Sequence, residues 1–399
     1  MAEPSSSAPS SAQRPPVARL GAAPGQVSTA PAASGEDRVI ALADRASFAA
    51  LEDPWNALVE ATSAQPFHRH EFIRIWIDNF APRQPLRILA VQDGRGGLTG
   101  ALPLLERRSH ILGMPVRQLA AAANVHSCRF DLIASEPERA ARALFAHLAA
   151  DRSWDMLQLS DVPEGGNAWH LFRAAQQAGF PVASWESMRS PYIPLPASMA
   201  ELEGALPAKF RSNLRRRLRK LEWQGRVSLE RVSGGLELEG KLEEGFSLER
   251  SGWKGESGTA IAQHPTTRGF YSELSRTAAH RGYLSLFFLR LNGRPVAFHY
   301  ALSCGGRYFL LKPTYSERWS ESGPGQLLVR EVLSDCIGRG IQEFDFLGPN
   351  MSWKQDWTVR ARRHTWLMVF RDSAFGRALC RARFDWIPGV RRVVQRWVR

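Results

Sequence analysis

Hydrophobic positions in the second half of the chain follow two different periods. Apolar residues fill the runs Leu284–Leu291 and 295–303, and the turn Asn292-Gly293 separates them. This arrangement predicts a β-hairpin, because both central residues of a type I′ turn need a positive φ. A third apolar run, 307–312, follows Gly305-Gly306. The pattern therefore predicts three consecutive strands.

Beyond these strands the spacing becomes helical. After the glycine-rich stretch 322–325, apolar residues within 326–337 recur on one helix face. The next apolar run, 341–347, predicts another strand. Strand, glycine-rich loop, helix and strand in this order favour a phosphate-binding site. Backbone N–H groups and the helix dipole face an anion at a helix start, and glycine lets the backbone come close.

A similar pattern occurs in the first half of the chain. The runs Leu86–Gln92 and 98–105 flank a turn that contains glycine, as in the later hairpin. We interpret the similarity as a weak internal repeat, and chance similarity between two hairpins is the alternative. The repeat predicts an α/β (α+β) fold with two tandem lobes, residues 37–196 and 197–372. Each lobe is expected to hold a mixed, mainly antiparallel sheet flanked by helices.

The two ends of the chain differ from this middle part. Residues 1–36 are rich in Ala, Pro, Ser and Gly and have few large apolar residues, so we predict a disordered tail. Residues 373–399 form a basic amphipathic segment in which arginines alternate with Phe, Trp, Val and Leu. Such a segment either contacts an anionic membrane surface or packs on the protein itself.

The charge of the chain indicates anionic partners. The 399 residues carry a formal net charge of +13, which attracts nucleic acid, anionic lipid, phosphorylated sugars or the phosphates of coenzyme A. Part of the charge lies in a predicted helix over 207–222. Its basic residues are Lys209, Arg211, Arg215, Arg216, Arg217, Arg219 and Lys220. This helix is either a solvated basic face or an anion-binding face.

The cysteines and the hydropathy indicate the compartment. The four cysteines lie far apart and form no Cys-x-x-Cys pair, so the sequence predicts neither a zinc site nor a redox motif. No apolar run reaches the ~18 residues of a membrane-spanning helix, and no signal peptide is apparent. We therefore predict a reduced, cytoplasmic protein, peripheral at the inner face of the membrane if residues 373–399 bind there.

Five short motifs carry a resemblance to a known family. They are Arg250-Ser-Gly-Trp253, Gly293-Arg-Pro-Val-Ala297, Pro324-Gly-Gln-Leu-Leu328, Phe344-Asp-Phe-Leu-Gly348 and Lys354-Gln-Asp-Trp357. In this order and spacing they resemble the cellulose-biosynthesis-type (CelD/BcsL) acetyltransferases of the GNAT superfamily, which are akin to the Fem-type aminoacyl transferases. The resemblance covers roughly residues 40–371. The usual GNAT loop, Gln/Arg-x-x-Gly-x-Gly/Ala, is replaced by Glu321-Ser-Gly-Pro-Gly325.

The resemblance implies tandem GNAT-like lobes, and we expect only the second lobe to bind a donor. The donor would be acetyl-CoA or another acyl-CoA, with no metal. The acceptor would be an amine or hydroxyl, on a sugar or polysaccharide precursor. The expected donor-binding residues are Gly323, Gly325, Gln326, Leu327, Leu328 and Leu311. The expected substrate-binding residues are Arg250, Trp253, Lys354, Trp357 and Asp131.

Acyl transfer also needs a polarised carbonyl and a base for the nucleophile. We expect the main chain around 309–312 to polarise the thioester, in a crevice between this strand and 344–347. Asp345 and His299 are the predicted bases, with Glu343 and His364 as further candidates. Desolvation would raise the pKa of Asp345. Asp345 is alternatively a structural residue that accepts hydrogen bonds from loop N–H groups, and His299 a core histidine.

Two other functions remain open from the sequence. One is a Fem-like transferase that uses aminoacyl-tRNA, for which the basic helix and the C-terminal segment would bind RNA. The other is a non-catalytic module that docks on an anionic membrane or on nucleic acid. Saturable CoA binding with turnover favours the acyltransferase, and salt-sensitive tRNA binding favours the Fem-like enzyme.

Overall fold

The computed structural model describes residues 37–111, 113–251 and 260–386. All of them fall within one compact unit of the chain. The predicted disordered tail 1–36, the predicted acceptor contact Trp253, and residues 387–399 of the basic amphipathic segment lie outside the described residues. The predicted contact of that segment with a membrane stays a prediction.

The strands are numbered in chain order. They are β1 Arg38–Leu42, β2 Leu86–Gln92, β3 Leu98–Ile111, β4 Met114–Ala121, β5 Ile133–Ala134, β6 Met156–Pro163, β7 Val182–Pro194, β8 Val227–Val232, β9 Leu284–Leu291, β10 Arg294–Cys304, β11 Arg307–Tyr315, β12 Glu343–Asp345 and β13 Ala361–Phe370. Both predicted hairpins are present, as β2–β3 and β9–β10. The strand predicted over 341–347 is shorter, because Leu347 and Gly348 adopt φ values of 50° and 58° and turn the chain away.

The α-helices follow the same numbering. They are α1 Arg45–Ala49, α2 Glu52–Thr62, α3 His70–Phe80, α4 Pro137–Ala150, α5 Ala168–Gln177, α6 Met199–Ala205, α7 Ala208–Glu222, α8 Leu238–Arg250, α9 Pro265–His280, α10 Pro324–Gly338, α11 Ser352–Gln355 and α12 Ala374–Arg381. Short 3₁₀ segments occupy Pro66–His68, Ile261–Gln263 and Glu317–Ser322, and a π-helical turn occupies Ala382–Trp386.

The strands form one 13-stranded sheet, in the order β1-β2-β3-β4-β6-β13-β7-β12-β11-β10-β9-β8, with β5 paired to β3. The β4–β6 and β11–β12 pairs are parallel, and the other pairs are antiparallel. The same topology occurs twice: β2-β3-β4, α4, then β6 parallel to β4, and β9-β10-β11, α10, then β12 parallel to β11. The mixed, mainly antiparallel sheet flanked by helices confirms the predicted fold class.

The last strand returns to the first half of the chain. β13 pairs with β6 and with residues 182–191 of β7, while the end of β7 pairs with β12. The two repeats are therefore joined by exchanged strands. The lobe boundary predicted between 196 and 197 stays a prediction. That boundary assigns β13 to the second lobe, whereas β13 pairs with β6 and β7 of the first half of the chain.

Helices cover both faces of the sheet. All eight residues of β9 are buried, so this strand has no solvent face. Leu286 and Phe288 contact a core shared by α2, α3, α8 and α9, and Phe287 and Leu289 contact a second core under α6, α7 and α10. The period of two residues thus places successive side chains in different cores. Among the described residues, no helix is long and apolar enough to cross a membrane.

Candidate active site

A cleft opens where the parallel strands β11 and β12 diverge. Their pairing is limited to residues 307–309 of β11 and 343–345 of β12. Beyond it, β11 continues to Tyr315 while the chain after Asp345 turns away. The gap forms a cleft of about 700 Å³. The crevice predicted between these two segments is therefore present in the fold.

The cleft walls combine residues from several elements. The first repeat and the neighbouring elements contribute Val125 and Cys128 from a loop, Arg217 of α7, His299 of β10 and residues 310–315 of β11. The segment before α10 contributes Ser320 and Gly323, and the first turns of α10 contribute Gly325, Gln326 and Val329. The remaining wall residues are 346–349, 351–354 and 356. The charged groups among them are Arg217, Lys312, Lys354 and Asp356. With three cations and one carboxylate among their described residues, the walls favour an anionic ligand.

A β-bulge lies on the cleft wall. Tyr300 pairs with Lys312 but Ala301 pairs with Leu310, so Leu311 is an extra residue in β11. A bulge leaves one residue out of the ladder and re-aims the local main chain. Leu311 was predicted to contact the donor, and it lines the cleft at the segment predicted to polarise the thioester.

Two glycines provide space at the start of α10. Gly323 precedes the helix with a φ of 55°, Pro324 is its first residue, and no side chain caps this end. A Cβ on Gly323 would lie 2.8 Å from Cδ of Arg217, and one on Gly325 would lie 3.1 Å from Cδ1 of Tyr315. Both glycines line the cleft, and their predicted contact with a donor stays a prediction.

The remaining residues of that predicted anchor have structural contacts. Gln326 lines the cleft, but its amide donates to the Trp353 carbonyl over 3.1 Å and accepts from Nε1 of Trp357 over 2.5 Å. Leu327 and Leu328 are buried in the core, with exposed fractions of 1% and 0%, so their side chains are absent from the described cleft wall. Trp357 packs behind Gln326 against Phe210, and its predicted substrate contact has no support in the geometry.

Lys354 lies on the cleft wall as a buried cation. Its Nζ donates to the carbonyl oxygens of Leu347 (2.5 Å) and Pro349 (3.0 Å), and the residue is 4% exposed. Burial lowers the pKa of Lys354 to about 8, against the opposing charge of Asp345. The ammonium group therefore fixes the 347–349 loop and faces the space where a ligand would bind.

Asp345 does not have the properties expected of a base. Its carboxylate is fully buried and accepts from Nη2 of Arg129 over 2.5 Å, Nη1 of Arg362 over 3.1 Å, and the Leu347 N–H over 2.9 Å. Burial raises its pKa, but the two arginines and the Leu347 N–H outweigh burial and hold the pKa below its usual value. The expected raised pKa was wrong. The geometry favours the structural interpretation of Asp345.

The other base candidates differ in position. His299 is 1% exposed and lines the cleft, opposite Pro313 of β11. Glu343 pairs with Arg362 over 3.0 Å. His364 is fully buried, and burial lowers its pKa to about 4. Of these candidates, only His299 belongs to the described cleft wall.

Two predicted substrate contacts lie away from the cleft. Asp131 accepts from the backbone N–H groups of Leu132, Asn167 and Ala168, at 2.9, 2.9 and 2.7 Å. Burial raises its pKa to about 6, although these hydrogen bonds act in the opposite direction. Asp131 thus binds the start of α5 and is absent from the described cleft wall. Arg250 ends α8 in an exposed position and is likewise absent from that wall.

Sequence reasoning missed Arg129, Cys128 and Arg362 as residues of the site or its support, and it did not single out Arg217 among the basic residues of its helix. Arg129 has a 2% exposed side chain and lies in a loop, where no periodicity marks a buried charge. Arg217 is one of seven basic residues in a single helix, and only the helical repeat distinguishes it. Its i, i+3 and i, i+4 relation to Leu214 and Leu221 places it on the inner face.

The comparisons with known proteins agree with this geometry. Residues 208–355 match the family model described as Acetyltransferase (GNAT) domain. This range contains Arg217, the bulge, the start of α10 and Lys354, so the cleft lies largely within the matched segment. The matched segment, which is fewer than half of the 399 residues, is therefore similar to a GNAT acetyltransferase domain.

Several solved structures share the fold. FemX has 12% identity and a TM-score of 0.55, over 79% of this chain and 95% of FemX. L-PGS from Bacillus licheniformis has 11% identity and a TM-score of 0.50, over 83% of this chain and 95% of its own. A conserved protein of unknown function from Bacteroides thetaiotaomicron has 11% identity and a TM-score of 0.53, over 84% and 100%. At these identities the likeness shows the fold alone. No curated protein matches the sequence at a significant level.

Proposed function

We propose that the protein transfers an acetyl or another acyl group from acyl-CoA to an amine or a hydroxyl. The observation that carries the proposal is the cleft between β11 and the 346–354 loop. It combines a strand bulge with an uncapped, glycine-flanked helix start and cationic walls. These are the features that thioester polarisation and phosphate binding require.

In this proposal each wall has a separate task. The main chain at Leu311 donates a hydrogen bond to the thioester carbonyl and stabilises the oxyanion as the nucleophile attacks. His299 accepts the proton that the attacking amine or hydroxyl loses. The new C–N or C–O bond forms first, the C–S bond of the tetrahedral intermediate then breaks, and the released thiolate takes up the proton that His299 accepted. The Gly323–Gly325 segment binds the donor's phosphates.

The acceptor is proposed from the resemblance and from charge. The CelD/BcsL-like motifs support a sugar or polysaccharide precursor. Lys312 and Lys354 line the cleft, which favours an acceptor that carries a phosphate or carboxylate near the reacting group.

A second candidate is transfer of an aminoacyl group from tRNA. The fold shared with FemX and the exposed outer face of α7, with Arg215, Arg216 and Arg219, favour this alternative. Phosphate contacts dominate such binding and make it steeply dependent on salt.

The decisive experiment is calorimetric titration with acetyl-CoA, CoA and deacylated tRNA at two salt concentrations. We expect saturable acetyl-CoA binding that persists at the higher salt. The variant Gly323→Val/Gly325→Val should lose at least tenfold in affinity, because the new side chains would displace Arg217 and Tyr315. Gly338→Val, at the open far end of α10, is the matched control.

Two outcomes would contradict this proposal. One is unchanged CoA affinity in the folded double variant. The other is an absence of CoA binding together with tRNA binding that falls steeply with salt, which would favour the aminoacyl transferase.

A further inference from the structure

The helix α7 carries two half-buried arginines, Arg211 and Arg217, and of these Arg217 is among the described residues of the cleft wall. Leu214 and Leu221 are 3% and 0% exposed and pack in the core beneath β9 and α10. Arg217 lies three residues after Leu214 and four before Leu221, so it points to the same side. It is half-buried, whereas Arg215, Arg216 and Arg219 are exposed. Partial burial of a charged side chain beside buried leucines is costly, so the position of Arg217 is not explained by solubility.

The side chain of Arg217 crosses the start of α10. From the position of a Cβ on Gly323, its Cδ, Nε and Cζ atoms lie 2.8, 3.0 and 3.2 Å away. No other residue type at 323 leaves this space, so the glycine and the arginine fit each other. Arg217 lines the same cleft as Gly325 and Gln326.

The loop before α10 has no cation of its own on the cleft. Ser320, Gly323 and Gly325 line the cleft, and the loop's Glu321 pairs with Lys220. Within the described residues, no carboxylate lies within ion-pair distance of Arg217. The planar guanidinium group binds phosphate oxygens in pairs, which suits a nucleotide donor.

We propose that Arg217 binds the phosphate groups of the donor, supplying from α7 the charge that the 320–325 loop lacks. This inference rests on the proposed acyl-CoA function and deepens it. One helix then serves two surfaces, with Arg217 in the cleft and Lys209, Arg215, Arg216, Arg219 and Lys220 facing solvent.

The test compares three single variants, Arg217→Ala, Arg217→Gln and Arg318→Ala. Arg318 is exposed in the neighbouring 3₁₀ segment and absent from the cleft wall, so it controls for the loss of one charge near the loop. We expect at least a tenfold loss of CoA affinity for both Arg217 variants by calorimetry, and less than twofold for Arg318→Ala. By the same calorimetry, the affinity for S-acetyl-pantetheine, which lacks the phosphates, should fall much less than the affinity for CoA in both Arg217 variants.

A charge transplant completes the test. Arg217→Ala/Ser320→Arg should recover part of the CoA affinity, because residue 320 lines the same wall. Wild-type CoA affinity in folded Arg217→Ala would overturn the inference while the acyltransferase proposal stands. Equal losses with CoA and with S-acetyl-pantetheine would also overturn it, since a merely structural role predicts them. Failure of the unmodified protein to bind CoA would overturn both proposals.

Discussion

At the scale of single residues, Leu347 joins buried charges to the cleft. Its φ is 50°, which is costly for a residue with a Cβ. Its N–H donates to Asp345 and its carbonyl accepts from Lys354, and both side chains are buried. Asp345 in turn pairs with Arg129, from a loop of the first repeat. Arg129 of the first repeat therefore helps to fix the position of Leu347, which belongs to the cleft wall of the second repeat.

The ion pair leads to a stability prediction. Arg129→Ala should lower the free energy of unfolding by about 3–5 kcal/mol, because it leaves the Asp345 carboxylate buried with one partner fewer. It should also weaken acetyl-CoA binding, since Leu347 loses its fixed position. Urea denaturation and calorimetry measure the two effects.

The matched control for this prediction is Arg117→Ala. Arg117 pairs with Asp155 over 2.7 Å, but the side chain of Arg117 is 56% exposed. Its removal should therefore lower the free energy of unfolding by about 1 kcal/mol or less. Equal destabilisation by the two variants would contradict the importance of the buried pair.

At the scale of elements, β13 unites the two repeats. It follows β12 and α11 in the chain, yet it pairs with β6 and β7. Leu367 and Val369 lie in the core under α4 and α5, while Met368 and Phe370 lie in a small core with Leu379 of α12. Both faces of the strand are therefore covered by parts of the chain that are distant in sequence.

This strand exchange predicts cooperative unfolding. Leu367→Ala should destabilise the protein by about 2–5 kcal/mol, because the side chain is 1% exposed and leaves a cavity. Both repeats should unfold in one transition, followed by intrinsic fluorescence and by circular dichroism in urea. Arg363→Ala, on the same strand with a 59% exposed side chain, should change stability by less than about 1 kcal/mol. Two separate transitions would show that the repeats are independent.

At the scale of the whole molecule, buried histidines make the fold sensitive to acid. Burial lowers the pKa of His68 to about 3, and those of His126 and His364 to about 4. The nearby positive charges of Arg129 or Lys312 act in the same direction. Each of these histidines is therefore neutral in the folded protein at pH 5 but mostly protonated when unfolded.

The sign of the pH effect follows from proton binding. Between pH 6.5 and 4 the unfolded chain binds more protons than the folded chain, so stability decreases as the pH falls through this window. Each histidine should lower the free energy of unfolding by about 2 kcal/mol at pH 5 relative to pH 7. Urea denaturation at the two pH values measures the difference. His364→Gln should reduce that difference by a similar amount, and the exposed His110→Gln is the control. An unchanged difference in His364→Gln would contradict the assignment.

Local signals in the sequence predicted the parts of the site that depend on neighbouring residues. Asn292-Gly293 predicted one hairpin, the apolar spacing within 326–337 predicted α10, and the glycines at 323 and 325 indicated where this helix begins. These signals placed the cleft between β11 and the segment after β12. They failed for Asp345, because its partners Arg129 and Arg362 belong to distant segments and invert the expected direction of its pKa.

The sequence by itself determined the repeated strand–helix–strand units and the position of the glycine-flanked helix start, because hydrophobic periodicity and turn residues act within a few positions. The tertiary structure alone decided that β13 returns to the first repeat, that Arg129 reaches Asp345, and that Arg217 crosses Gly323. Each of these depends on which buried surfaces and charges meet across the folded chain. The energy of such contacts is set by burial and pairing between residues far apart in sequence, and no local pattern records it.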